Sequence, residues 1–398
     1  DIARKFGTPL YIYSRHTLID HYQKILRAFE PVEPLICFSM KANSNLAILK
    51  ILASCGAGMD VVSGGELYKA LKAEVNPQKI VYAGVGKSRK EISEAIKAQI
   101  LFFNAESIPE IALIDQVAGR LKRTVNISLR INPDVQPHTH KYITTGKMSN
   151  KFGLDMQSAE DIFLRSQIFS HLNFIGVHIH IGSQITEYTP YVQAIKKMLS
   201  FIARLKEKNI SLRYFNIGGG MGIVYHDEKP QSAERLAREI LPLLKKSGLK
   251  IVLEPGRFIA GNSGIMVTRV VYVKKTPNKN FAIVDAGMND LIRPALYNAY
   301  HEIIPLNTRR KDKKIHKYDI VGPICESGDF FAKNRAMPEL YAQDLLAIMG
   351  AGAYGFTMSS NYNSRPRVSE VLVDRNNFYL IRKRESYRDL IRKEITPV

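Results

Sequence analysis

The sequence predicts an α/β protein: a (β/α)8 TIM-type barrel joined to a discontinuous, mainly antiparallel β domain. Three observations carry this. From residue 35 to about residue 257, short β-branched runs alternate without a break with amphipathic stretches, the pattern of parallel strands joined by helical crossovers. Eight such runs can be counted, the number that closes a barrel. Beyond Gly261 the strand-like runs continue, but the long helices between them stop.

The expected barrel strands are Leu35–Ser39, Met59–Val62, Lys79–Ala83, Ile100–Asn104, Asn126–Ile131, Phe174–Ile181, Tyr214–Ile217 and Lys250–Glu254. Between them, segments such as Glu106–Arg123 and Tyr191–Asn209 space apolar residues at three and four, as a helix with one buried face requires. An open doubly wound sheet uses the same elements, so local pattern leaves closure undecided. The runs GIMVTRVVYVKKT, FAIVDAG, KYDIVG, LLAIMGAG and EVLVDRNNFYLI make up the β domain. The opening PLYIYS reads as one more strand, which the barrel does not need. The expected division is therefore 15–260 for the barrel, and 1–14 with 261–398 for the β domain.

The length of 398 residues accommodates a barrel of about 250 residues and a module of about 100 to 150. Hydrophobic residues at 45% and charged residues at 24% are the balance of a globular protein with a substantial core. No apolar run approaches the roughly 18 residues that cross a bilayer, so no membrane partner is expected. The chain opens on Asp1, which leaves room for a short preceding segment. Its three cysteines, Cys37, Cys55 and Cys325, form no CxxC pair and no zinc spacing. A reducing, cytoplasmic compartment without a metal site is expected. The 57 Lys and Arg against 37 Asp and Glu give a net charge of +20, concentrated in Asn307–Lys317 and Ile381–Glu394. No nucleic-acid motif or interleaved aromatic spacing accompanies it, so a solvated basic surface is expected rather than a nucleic-acid partner.

In parallel barrels reactive groups gather at the strand ends, where loops converge over one mouth. Lys41 follows the first strand, Asp60 lies in the second, and His180 and Ser183 close the sixth. Gly218, Gly219 and Gly220 follow the seventh, while Glu254, Gly256 and Arg257 end the eighth. Taken alone, Lys41 reads as a surface lysine. Directly after a buried strand, its amine can form an imine with an aldehyde, the attachment chemistry of pyridoxal phosphate. The triple glycine is either a plain turn or, at the start of a helix, a phosphate cradle of backbone N–H groups. Glu254 needs a partner to justify burial: an internal ion pair with Arg257, or the protonated ring nitrogen of a cofactor. His180 is either a satisfied core histidine or a face stacked on that ring, and His178 would point the same way in a regular strand.

Together FSMKAN, DVVSGGEL, HIHIGSQ, GGGMG, EPGR, CESGD and GAYG, in this order over nearly the whole chain, resemble the fold type III pyridoxal-phosphate-dependent decarboxylases. Among these the motifs are most similar to the diaminopimelate decarboxylases. The resemblance implies pyridoxal 5'-phosphate as cofactor. Lys41 would be its anchor, His180 would stack on the ring, Glu254 would meet its nitrogen, and Gly220, Ser183 and Tyr354 would help hold cofactor and phosphate. It places Arg257, Arg293, Tyr297 and Tyr354 at the substrate, and makes Cys325 and Glu326 a pair donated across a homodimer with shared active sites. Cys325 would return a proton to Cα, and Glu326 would meet the distal ammonium. The implied reaction converts meso-2,6-diaminopimelate to L-lysine and carbon dioxide, the last step of bacterial lysine biosynthesis. Related decarboxylases of ornithine, lysine, arginine or carboxynorspermidine, and a non-catalytic pyridoxal-phosphate-binding homologue, remain alternatives. Met40 and Met221 depart from the usual pattern without replacing a polar group.

Overall fold

A computed structural model describes residues 1–135, 151–306 and 314–397. Most of the basic segment Asn307–Lys317 lies outside the described residues. The chain divides into two compact units. One comprises Ile19–Ile223 and Lys229–Ile259; the other comprises Asp1–Leu18, Val224–Glu228 and Ala260–Val398.

The first unit is a closed barrel of eight parallel strands: Leu35–Ser39, Gly58–Val61, Ile80–Tyr82, Phe102–Ala105, Val125–Arg130, Leu172–His178, Tyr214–Asn216 and Lys250–Leu253. Pairing of Leu35 with Val252 and of Ile36 with Leu253 closes it, which excludes the open sheet. Every strand run read from the sequence is present. The sixth ends earlier than expected, at His178, so His180 and Ser183 lie in the loop beyond it.

Local chemistry starts the crossover helices where they must start. Asn45, Ser63, Ser107 and Ser232 each accept a backbone N–H of the first turn with their side chains, satisfying one of the donors that a helix start leaves unpaired. Ser88 and Glu91 form a reciprocal capping box. Such caps end these strand-to-helix loops cleanly and leave the preceding residues free to face the mouth. Inside the barrel, Cys37, Val81, Phe102, Ile175 and Val252 from the first, third, fourth, sixth and eighth strands pack with Leu101. The Phe102 and Tyr214 rings lie 5.4 Å apart.

The second unit is built on a nine-stranded sheet. The N-terminal strand Leu10–Ser14 pairs antiparallel with Gly264–Lys275 and parallel with Ser369–Asp374. Residues 370–381, read as a single run, form a hairpin of Ser369–Asp374 and Asn377–Arg382. Phe330–Pro338, missed in the sequence, pairs antiparallel with Ile315–Val321. Its run FFAKNRAMP has mixed polarity, and a register shift beside Asp319 breaks the period-two signal. Tyr13 donates to the buried Glu370, whose other oxygen accepts from Arg382. A buried charge in the sheet is thus paired rather than stranded.

Phe102 is 1% exposed at the barrel's centre, so Phe102→Ala should leave a cavity costing about 3–5 kcal/mol. A lower denaturation midpoint by far-UV circular dichroism checks this.

Candidate active site

The mouth of the barrel unit is assembled from strand ends tied to one another. Lys41 lies on a turn just after the first strand. That turn is pinned on both sides: Ser39 N–H donates to Pro255 O and Met40 N–H to Asp60 O, each at 3.1 Å. Gly256 permits this closeness, since a Cβ there would stand 3.1 Å from the Cβ atoms of both Ser39 and Ala42. The Lys41 charge acts on Asp60, Glu66 and His180. The amine therefore belongs to the cluster of titrating groups and is not an isolated surface lysine.

Glu254, 4% exposed, follows the eighth strand. Its Oε1 accepts from Asn216 Nδ2 at 2.6 Å and from Asn104 Nδ2 at 3.2 Å. His178 Nε2 lies 3.2 Å from Oε2, close enough for ion pairing, although the approach is off-line for a strong hydrogen bond. These partners, rather than the Arg257 ion pair considered from sequence, account for the buried charge. Burial alone would raise the Glu254 pKa; the His178 ring beside it and the Asn216 bond outweigh it and hold the carboxyl below its usual range. Asp60 goes the other way. Burial first, and then the neighbouring Glu254 charge, push it up to about 8, although Ser39 Oγ donates to its Oδ2 at 2.6 Å. Two buried carboxyls in one field are thus pushed apart, Glu254 downward and Asp60 upward.

His180 is half-buried. Its packed surroundings first, then the Lys41 and Arg130 charges, push its pKa well below the ordinary value. Its Nδ1 accepts from Gly219 N–H at 3.2 Å, which puts the proton of the neutral ring on Nε2. His178, two residues earlier, has a separate task, because it faces Glu254.

The glycine run differs from expectation in one respect. It does not open a helix; the next helix begins only at Ala233. Two of its N–H groups are already engaged, Gly218 with Asn216 Oδ1 at 2.9 Å and Gly219 with His180 Nδ1. Gly218 and Gly220 have φ of 71° and 100°, which side chains seldom adopt. A Cβ on Gly220 would stand 2.5 Å from Gly182 O. The run therefore folds back tightly on the sixth-strand loop. There Ser183 Oγ accepts from Arg257 Nη2 at 3.1 Å.

Sequence reading missed Asn104 and Asn216, both fully buried. The signal was present: each is a lone amide ending an apolar strand, FFN and YFN. It also missed the buried pairs Lys87–Glu110 at 2.6 Å and Arg130–Glu106 at 2.9 Å. Lys87 Nζ also donates to Asn104 O at 2.9 Å, so this network braces the amide that holds Glu254.

The β unit carries the remaining expected residues. Arg293 begins the short helix Arg293–Tyr297, is 6% exposed, and donates from Nη1 to His301 Nε2 at 2.9 Å. Tyr297, half-buried, ends that helix. Cys325 and Glu326 are exposed on the turn before Phe330–Pro338. Cys325 N–H donates to Asn363 Oδ1 at 2.8 Å, and Asp329 fixes the turn by accepting Ile324 N–H at 2.7 Å. Tyr354 has φ of 57°, a left-handed conformation that a bulky side chain adopts at a cost of order 1–3 kcal/mol.

The barrel donor set fits pyridoxal 5'-phosphate. It offers an amine for the aldehyde, an ionised carboxylate for a ring N–H, a neutral imidazole, and a serine–arginine pair beside the glycine turn. Asp60 Oδ1 and Asn104 Oδ1 are buried without a hydrogen-bond partner among the described residues, as polar atoms that a ligand satisfies would be. Among the described residues no three His, Cys, Asp or Glu side chains are placed to hold a metal ion, and no helix is long and apolar enough to cross a membrane.

Comparison with known proteins gives the family. Residues 15–261 match the family of the pyridoxal-dependent decarboxylases, pyridoxal binding domain. The diaminopimelate decarboxylase of Aquifex aeolicus is 47% identical over 97% of this chain and 91% of its own length. That of Vibrio cholerae is 47% identical over 98% and 93%. The crystal structure of the Helicobacter pylori diaminopimelate decarboxylase complexed with L-lysine matches with a TM-score of 0.95 and 42% identity, covering 99% of this chain and 98% of that one. With a closed barrel whose mouth carries a lysine and a buried glutamate held below its usual titration range, and relatives this similar over more than nine-tenths of their length, the chain belongs to the pyridoxal-dependent decarboxylases and, within them, to the diaminopimelate decarboxylase family.

Proposed function

We propose that this protein decarboxylates meso-2,6-diaminopimelate to L-lysine and carbon dioxide with pyridoxal 5'-phosphate. The observation that carries the reading is the Glu254 carboxylate, kept ionised by His178, Asn104 and Asn216 in the mouth that also holds Lys41. When bound, the cofactor supplies an aldehyde that takes up the amino acid and a protonated ring that draws electron density from Cα as carbon dioxide leaves.

The chain's own groups do the rest. Lys41 holds the aldehyde between turnovers. Glu254 keeps the ring-nitrogen proton in place, and its own orientation is set by three strands, so no reorganisation is needed when charge develops. His180 limits the tilt of the ring from one side. Ser183, Arg257, Gly256, Tyr354 and the glycine turn hold the phosphate end, and Asp60, protonated, adds no second negative charge beside Glu254. Arg257, Arg293 and Tyr297 take the distal carboxylate, which a guanidinium matches with two parallel N–H donors. In a homodimer, Cys325 and Glu326 serve the partner's site: the thiol gives Cα the proton that replaces the lost carboxylate, and Glu326 meets the distal ammonium. The exposure of this pair on a well-fixed turn supports that role. Three unpaired cysteines support a cytoplasmic setting.

Release of carbon dioxide and L-lysine from meso-diaminopimelate by purified protein with added cofactor tests the proposal; absence of both products would refute it. Lys41→Ala should give no turnover and no borohydride-fixed cofactor by mass spectrometry. Glu254→Gln keeps shape but removes charge, so kcat should fall about 10²–10³-fold while the fold persists in circular dichroism. Arg293→Ala should retain cofactor absorbance but lose most decarboxylation, with kcat/KM down at least about 10-fold; normal turnover would remove Arg293 from the substrate site.

A further inference from the structure

Within the β unit, Arg293 is held from two directions. His301, 0% exposed, places Nδ1 2.8 Å from Met349 O and Nε2 2.9 Å from Arg293 Nη1. A carbonyl only accepts and a guanidinium only donates, so both contacts demand one form of the imidazole: neutral, with its proton on Nδ1. Arg335 Nη1 fixes the His301 backbone by donating to its carbonyl at 3.0 Å. From the other direction, the Arg293 guanidinium carbon lies 4.5 Å from the centre of the Tyr225 ring. Tyr225 meets His301 edge-on, with centroids 5.3 Å apart and planes at 75°. Gly350, next to Met349, gives that ring its seat: a Cβ there would stand 3.2 Å from Tyr225 Cε1.

The end of the strand Leu345–Ile348 thus sets both supports, through the Met349 carbonyl and the Gly350 gap. Neither support cancels the charge. A neutral imidazole takes one of the five guanidinium donors, and an aromatic face attracts the cation without accepting its proton. We infer that His301 and Tyr225 are positioning residues that pre-set Arg293 as a charged fork, so that the site selects substrates with a distal carboxylate. The inference rests on the proposed role of Arg293 and deepens it. Fixing a long side chain before binding removes an ordering cost otherwise met by the substrate.

The test uses holoenzyme of the wild type, His301→Leu and His301→Gln, whose side-chain oxygen can still accept from Arg293. Three quantities are compared: steady-state constants for meso-diaminopimelate, inhibition by L-lysine, which keeps the distal carboxylate, and inhibition by 1,5-diaminopentane, which has none. In His301→Leu, KM for diaminopimelate and the inhibition constant of L-lysine should rise about 10- to 100-fold. Inhibition by 1,5-diaminopentane, cofactor absorbance and the cofactor dissociation constant should be unchanged, and kcat should change much less than KM. His301→Gln should recover most of the loss. If His301→Leu does not fold, Tyr225→Leu carries the same expectation. Equal weakening of L-lysine and 1,5-diaminopentane, or an unchanged KM, would overturn the inference. A wild type that neither converts diaminopimelate nor binds L-lysine would overturn the functional reading, and this inference with it.

Discussion

A carboxylate shut away from water at the end of a barrel strand loses its hydration and must be compensated locally. Glu254 meets that demand with an amide from the fourth strand, an amide from the seventh and an imidazole from the sixth. The requirement propagates outward. Asn216 also holds the Gly218 N–H, which shapes the glycine turn, and Asn104 is braced through its carbonyl by Lys87 and hence by Glu110. Asp60, in the same field, is driven to its neutral form. Charge placement, strand order and loop shape at this mouth are therefore one problem with one solution.

The β unit solves a complementary problem. Its Arg293 guanidinium is steadied by a histidine nitrogen and an aromatic face, whereas the buried Glu370 is paired with Arg382. The second arrangement serves the fold.

Much of this was legible in the residues, because strand and helix periodicities differ and because the chemistry clusters at strand ends. The eight barrel runs and Lys41, His180 and Glu254 all follow from that. What could not be read locally depends on partners distant in sequence. Closure of the barrel rests on Leu35 meeting Val252. The protein groups that hold Glu254 lie 38, 76 and 150 positions back, at Asn216, His178 and Asn104, beyond the reach of any local pattern. Whether the glycine run is a plain turn or a helix start is not decided locally either: Asn216 and His180, one of them 39 residues away, take two of its N–H groups and make it a turn. The assignment of Val224–Glu228 to the β unit has no periodic signal at all, since it is a five-residue excursion set by packing.

The N-terminal strand Leu10–Ser14 lies between Gly264–Lys275 and Ser369–Asp374, so its two neighbours are made some 250 and 355 residues after it. A ribosome releases the chain from its beginning, and one strand cannot form a sheet alone. This strand must therefore wait through synthesis of the whole barrel and of Gly264–Lys275 before its second edge, on Ser369–Asp374, is covered. The barrel's contacts are between near neighbours and can mature meanwhile. Birth order and completion order are inverted in this polypeptide, and an interrupted translation product would carry an orphaned edge rather than a smaller enzyme.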